Sequence, residues 1–301
     1  MASSENKCEK CGQEFDSKRG LHIHQSQVHD NSDIEEESSE RLIETGDGLF
    51  LPTKQFGGLT FALGLLLGFI LGGVFLSGGL SFQSGEDIVS LESGEYPYGE
   101  LEAGIGSGEK QADNVTFKLE GEPYIGSPEA SITAVSYEDF QCPFCKEYNQ
   151  NAYLDIVENH VRSGEVQYFY KNFPIPAIGH NWAEPSALAS ECALNQDPEA
   201  FWTFKKGFFD NQERLTEVHE SDPEKFDESM YKWARQTGLD VGKFKQCYDN
   251  EEEMDEVDQD KAEAADVNAS ATPTIFIGSH KIAGAYPYSN FKEAINQQLD
   301  K

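Results

Sequence analysis

The sequence predicts an α/β domain filling the C-terminal part of the chain, behind a small metal-binding unit and one membrane-spanning helix. Three observations predict it. Short apolar runs stand before and after a long helix-forming block, two cysteines and two histidines near the N-terminus have metal-ligand spacing, and an apolar stretch separates these two parts.

The metal-binding unit comes first. Cys8-x2-Cys11-x12-His24-x4-His29 has the spacing of a two-cysteine, two-histidine zinc finger, with Phe15 and Leu21 where such fingers place their small core. A segment of about 30 residues buries too little apolar surface to fold alone. Zinc supplies on the order of 10 to 16 kcal/mol in such peptides, so Zn2+ on Cys8, Cys11, His24 and His29 is expected, with residues 1–30 as the finger. His22 competes by position but is read as exposed. Lys7, Lys10, Lys18 and Arg19 are matched by Glu5, Glu9, Glu14 and Asp16, and one finger with no net basic face argues against nucleic acid. A protein contact or a purely structural role fits better.

Residues 31–54 are acidic and polar and read as a disordered linker. Residues 55–82 read as a transmembrane helix, because no charge occurs from Gln55 to Gly85 and about 20 apolar residues span a bilayer. Arg41 and Lys54 precede it, and no Lys or Arg follows until Lys110. The positive-inside rule then predicts a single-pass protein of the cell membrane with a cytoplasmic N-terminus and an extracytoplasmic C-terminal domain. Gly64, Gly68 and Gly72 repeat every four residues, which suits either a homodimer or a lone glycine-tolerant helix. Residues 83–114 are rich in Gly and Glu and read as a flexible tether, with a glycosylation sequon at Asn114.

The C-terminal domain, residues 115–301, reads as a short lead-in at 115–119 and a strand over 131–137. A helix starts at Cys142, a strand covers 165–171, and a helical block covers about 180–266. Runs at 274–278 and 281–283 and a helix over 288–299 close it. Two thiols in Phe140-Gln141-Cys142-Pro143-Phe144-Cys145 can close a small ring and pass that disulfide on through a mixed disulfide. Pro143 suits a first helical turn, which puts Cys142 at a helix N-terminus where free amides and the dipole favour a thiolate. Cys145, one turn in, is the expected resolving thiol.

The Cys142–Cys145 motif, the strand Val166-Gln167-Tyr168-Phe169-Tyr170-Lys171 running into Phe173-Pro174, and Ala271-Thr272-Pro273-Thr274-Ile275-Phe276-Ile277 together resemble the DsbA-type thiol-disulfide oxidoreductases. The resemblance implies a thioredoxin-like core with an inserted helical subdomain. It implies a cis Thr272–Pro273 bond facing Cys142, and catalytic roles for Cys142, Cys145, Pro273 and Thr272. It implies exchange of disulfides with extracytoplasmic client proteins, in the oxidase direction, with a further redox partner to recharge the site. A reductase or isomerase is the alternative, and a tethered redox-sensing interaction protein, its finger on a cytosolic partner, is another. Many members carry a buried acid six residues before the first cysteine; Ser136 stands there, with Glu138 and Asp139 nearby. Cys192 and Cys247 resemble positions that some relatives join, and a structural disulfide between them is weighed against two buried thiols.

The 54 acidic against 23 basic residues give a net charge of −31, which repels nucleic acid and anionic membranes. Such a coat points to a halophile, an archaeon in particular, whose surface stays solvated at high salt.

Overall fold

The computed structural model describes residues 6–15, 17–28 and 88–301. The C-terminal domain is built on a six-stranded sheet in the order β1-β4-β6-β5-β7-β8. Its strands are β1 (Ala103–Ile105), β4 (Pro123–Ile125), β5 (Ile132–Glu138), β6 (Val166–Asn172), β7 (Thr274–Ile277) and β8 (His280–Ala283). Only the central pair β5 and β6 is parallel; the other neighbours run antiparallel. β2 (Glu109–Ala112) and β3 (Val115–Lys118) form a separate hairpin.

The two central strands are buried along their whole length, so alternate side chains enter two different cores. Ile132 and Ala134 of β5, with Val166, Tyr168 and Tyr170 of β6, join the larger core, which also holds Cys142 and Cys145. Val135, Tyr137 and Phe169 join the smaller one under β2–β3 and Phe276.

The helix from Cys142 is broken at Asn151, whose backbone leaves helical geometry (φ −127°, ψ −95°). It gives α2 (Pro143–Gln150), α3 (Ala152–Ile156) and a π-turn over Val157–Val161. Between β6 and β7 lie six helices: α4 (Ala183–Leu194), α5 (Pro198–Asp210), α6 (Gln212–Ser221), α7 (Pro223–Gln236), α8 (Val241–Asp249) and α9 (Met254–Asp266). Two start at a Pro behind an Asp cap, at Asp197–Pro198 and Asp222–Pro223. Cys192 on α4 is disulfide-bonded to Cys247 on α8. α10 (Tyr288–Leu299) closes the chain.

Three expectations change. The stretch read as a tether is, from residue 88, part of the fold: Val89, Leu91 and Tyr98 are buried in the larger core. Val89 N donates to Ser229 Oγ at 3.0 Å and Trp233 Nε1 donates to Val89 O at 3.2 Å. Gly94 is no spacer, since a Cβ there would lie 2.0 Å from the Gln236 carbonyl oxygen. The composition misled because isolated apolar residues among Gly, Ser and Glu carry no period.

The transmembrane part of the expected fold class is also corrected. No helix among the described residues is long and apolar enough to cross a membrane, and residues 55–82, with Gly64, Gly68 and Gly72, lie outside them, as does the linker 31–54. The predicted placement, finger inside and domain outside, fails with it. The described residues up to Gln25 and from residue 88 onward form one compact unit. Arg19, in helix α1 (Lys18–Val28), sits on the helical insertion, where its Nε donates to Asp227 Oδ1 at 2.9 Å and its guanidinium lies 4.9 Å from the Tyr248 ring centre. His22, half-exposed, pairs with Glu251 at 2.8 Å. Groups in such contact are on one side of any bilayer.

Candidate active site

β5 ends at Glu138, and the loop after it delivers Cys142 as the N-cap of α2, with Pro143 in the first turn. Four side chains hold that loop. Asp139 Oδ1 accepts from Gln141 N at 2.7 Å, and Asp139 Oδ2 accepts from Ile175 N and bonds His180 Nδ1, both at 2.8 Å. Gln212 Nε2 donates to Phe140 O and Cys142 O, and Gln141 Oε1 accepts from Trp182 N. Asp139 also holds His180 above the usual imidazole range, an effect to which the nearby Cys142 charge adds.

Thr272–Pro273 is a cis peptide bond, and the Cys142 Sγ lies 3.5 Å from Thr272 O. The structure therefore brings together Cys142, Cys145, Thr272 and Pro273 from opposite ends of the domain. The Cys142 thiol is lowered to about 6 by hydrogen bonding from Cys145, against burial, with help from Thr272 and the backbone N–H groups of Cys145 and Phe144. The second thiol leads, and the free amides at the helix start, which the sequence had put first, add less. Cys145 is fully buried, and burial, then the Cys142 charge, pushes it well above the ordinary thiol range.

The acid beneath this pair is Glu138. Ser136 and Glu138 are two residues apart on one strand and so share a face. Ser136 donates to Phe169 O at 3.3 Å and its hydroxyl also favours the Glu138 carboxylate, which is joined to the Cys145 carbonyl through Asn149. Glu138 Oε2 accepts from Asn149 Nδ2, and its Oε1 accepts from Tyr168 OH at 3.3 Å. Asn149 also donates to Cys145 O at 2.9 Å, and its Oδ1 accepts from Lys205 Nζ. Burial raises Glu138, against the charge of Lys205. Asp139, the other candidate, is spent on the loop. Sequence reasoning missed Asn149, Lys205 and His180. Asn149 follows Cys145 by one helical turn, a spacing that could have flagged it; Lys205 and His180 come from remote segments with no signal.

Near the N-terminus, Cys8, Cys11 and His24 bring their ligand atoms within 4.8 Å of one another, and Cys11 Sγ lies 3.1 Å from His24 Nε2. Leu21 is buried and the Phe15 ring lies 4.7 Å from that of His24. Two sulfurs and an imidazole so placed fit one ion with bonds of about 2.0 to 2.3 Å. His29 lies outside the described residues.

The thioredoxin family pattern matches residues 118–297. The chain is 28% identical over 181 residues to disulfide bond formation protein D of Bacillus subtilis, covering 60% of this chain and 78% of that protein. Its identity to the probable disulfide bond formation protein D of Bacillus cereus is 26% over 193 residues, 64% of this chain and 85% of that one. Among solved structures, oxidised BdbD of Bacillus subtilis superposes with a TM-score of 0.50 at 24% identity, covering 65% of this chain and 99% of that one. The α-DsbA1 of Wolbachia pipientis does so with 0.52 at 22% identity, covering 61% and 94%. These two likenesses speak to the fold.

Proposed function

The chain belongs to the thioredoxin family and is a thiol-disulfide oxidoreductase of the DsbA type, and from that premise we propose that Cys142 and Cys145 are its exchanging pair, working as an oxidase. A client thiolate attacks Cys142 Sγ of the Cys142–Cys145 disulfide. The bond between the two sulfurs breaks, a client–Cys142 bond forms, and the electron pair leaves on Cys145, which takes up a proton from Glu138. A second client thiolate attacks the first client sulfur, closing the client's disulfide and releasing Cys142 as a thiolate. A disulfide-bearing partner protein then accepts the two electrons and restores the site.

The observation that carries this reading is the contrast between the two thiols, one lowered to about 6 beside Thr272 and the other buried and raised. A stabilised Cys142 thiolate is a good leaving group and favours the reduced enzyme, which makes its disulfide an oxidant. The names of the curated relatives, disulfide bond formation proteins, point the same way. Around Cys142 the surface is apolar. Phe144 is 60% exposed, Ile178 sits 66% exposed between the two residues tied to Asp139, and Tyr286 is 51% exposed on the loop whose Gly284 N bonds Pro273 O. Such a rim suits an unfolded client.

Refolding of reduced RNase tests the proposal. Cys142→Ser should abolish it; Cys145→Ser, which cannot form the Cys142–Cys145 disulfide, should lose it too and should accumulate client–Cys142 adducts when mixed with a disulfide-bearing client; and a Cys142→Ser protein with full activity rules the assignment out. Zn2+ on Cys8, Cys11, His24 and, by spacing, His29 would brace the finger; the chemistry at Cys142 does not pass through it. The charge of −31 we read as a coat for high salt.

A further inference from the structure

We propose that Cys8 and Cys11 are a second redox pair of this chain, a dithiol that takes the Cys142–Cys145 disulfide whenever Zn2+ is not holding it. It rests on the metal site and on the exchange reaction read above, and gives that reaction a client in the chain itself.

The starting point is where these thiols stand. Arg19 is held against Asp227 and Tyr248, and the Tyr248 hydroxyl itself donates to Asp227 Oδ1 at 2.9 Å. Tyr248 follows Cys247, whose sulfur is bonded to Cys192. The N-terminal thiols therefore share one compact unit, and one solvent, with a standing disulfide and with the Cys142 pair. Where structural disulfides persist, a thiol pair stays reduced only if something withholds its sulfurs from exchange.

The geometry supplies both the pair and its guard. Gly12 N donates to Cys8 O at 2.7 Å and Cys8 N donates to Gln13 O at 2.8 Å, closing a turn with Gly12 at φ +77° that brings residues 8 and 11 together. The two sulfurs lie within 4.8 Å of each other and of a His24 nitrogen. Closing them to a disulfide of about 2.0 Å needs a shift of less than about 3 Å. Cys11 is exposed and Cys8 buried, so Cys11 meets the incoming disulfide and Cys8 resolves. Metal binding and exchange compete, because a thiolate on Zn2+ donates the electron pair with which it would attack. With the metal gone, Cys11 loses its proton to water and its sulfur attacks Cys142 Sγ. The Cys142–Cys145 bond breaks, and the electron pair leaves on Cys145, which is protonated. Cys8, deprotonated in turn, attacks the Cys11 sulfur, the Cys11–Cys142 bond breaks, and Cys142 leaves as a thiolate. Two thiols have become one disulfide, and the two electrons rest on Cys142 and Cys145. Zn2+ cannot return, since it needs both thiolates. The ring so closed joins Cys8 to Cys11 but not to His24 on α1, the helix that carries Arg19.

The test follows the Cys8–Cys11 disulfide by alkylation and peptide mass mapping in reduced full-length protein given oxidised glutathione, with EDTA or with ZnCl2. Metal-free wild type should close it at least about tenfold faster than metal-free Cys142→Ser/Cys145→Ser, which must react with glutathione directly. Zn2+-loaded wild type should keep both thiols over the same interval. His24→Ala, which keeps the thiols and lacks the ligand on α1, should lose them despite Zn2+. Equal rates with and without Cys142 and Cys145, or a bridge that forms as fast in protein that retains Zn2+, overturns the proposal. Should the double variant fail to fold, Cys142→Ser alone gives the same comparison with the buried Cys145 in place. The two readings beneath it fail separately. Protein that retains no Zn2+ from ZnCl2 refutes the metal site and the guard with it, and wild type that transfers no disulfide to reduced RNase refutes the exchange reaction and the donor with it.

Discussion

Two lysines are buried on opposite faces of the same sheet, and their surroundings make them different chemical objects. Lys171, on the β6 face that carries Phe169, is ringed by carboxylates: Glu122 at 2.5 Å, Asp260 at 2.7 Å and Glu263 at 2.8 Å. Burial alone would lower it, but Asp260 and Glu122 raise it far above the ordinary range, so its charge is fixed. Lys205, on the face that carries Tyr170, has an amide and aromatic rings instead and titrates near 8. Burial is common to both; the partner decides whether the ammonium is a rivet or a working group.

The largest effect should come from the rivet. Lys171→Met strands three carboxylates and should cost about 3 to 5 kcal/mol in urea unfolding, whereas Lys205→Met should cost clearly less. Equal losses would erase the distinction. Next comes pH. Lys205 falls from 10.5 unfolded to about 8 folded, so the unfolded chain binds more protons between those values and stability rises with pH there, by roughly 3 kcal/mol. Measured on oxidised protein, where Cys142 does not titrate, this rise should vanish in Lys205→Met and persist in Lys171→Met.

A pH effect of comparable size and confined to the reduced protein concerns the thiol on the Lys205 side. The folded Cys142 thiol is depressed to about 6 from 9.0, so its stabilisation of the reduced protein is complete above the unfolded value and is lost as pH falls through about 6. The melting temperature of reduced over oxidised protein should therefore shrink on acidification. Least affected should be the difference between wild type and Lys171→Met in molar KCl. Salt screens the exposed acidic coat and should stabilise both proteins, while a pair at 0% and 2% exposure is shielded from it.

Much of the site was legible because its chemistry is local in sequence. Cys142, Pro143 and Cys145 announce a helix start, and the strands 131–137 and 165–171 fell within a residue of β5 and β6 because alternating or continuous apolar runs mark central strands. Thr272 and Pro273 were reachable only through the family resemblance. What stayed hidden was assembled across distance. Lys205 meets Asn149 over 56 positions and His180 meets Asp139 over 41, and no spacing rule spans such gaps. Arg19 read as a surface charge and is buried against Asp227, 208 positions away. The apolar stretch 55–82 is a reminder of another kind: composition names a solvent, but the Arg19 contact decides which parts share it.

Tyr98 gives the strap from residue 88 a practical meaning. Its hydroxyl meets that of Tyr153 at 3.0 Å, its carbonyl accepts from Arg162, and together with Pro97 it walls the opening beside Lys205. The family pattern starts only at residue 118. An excision at that similarity boundary would keep Cys142, Cys145 and every strand of the β5–β8 half, yet remove the Tyr98 wall of the cleft that Lys205 lines. Protein engineers wanting the enzyme without its N-terminal parts should cut before residue 88.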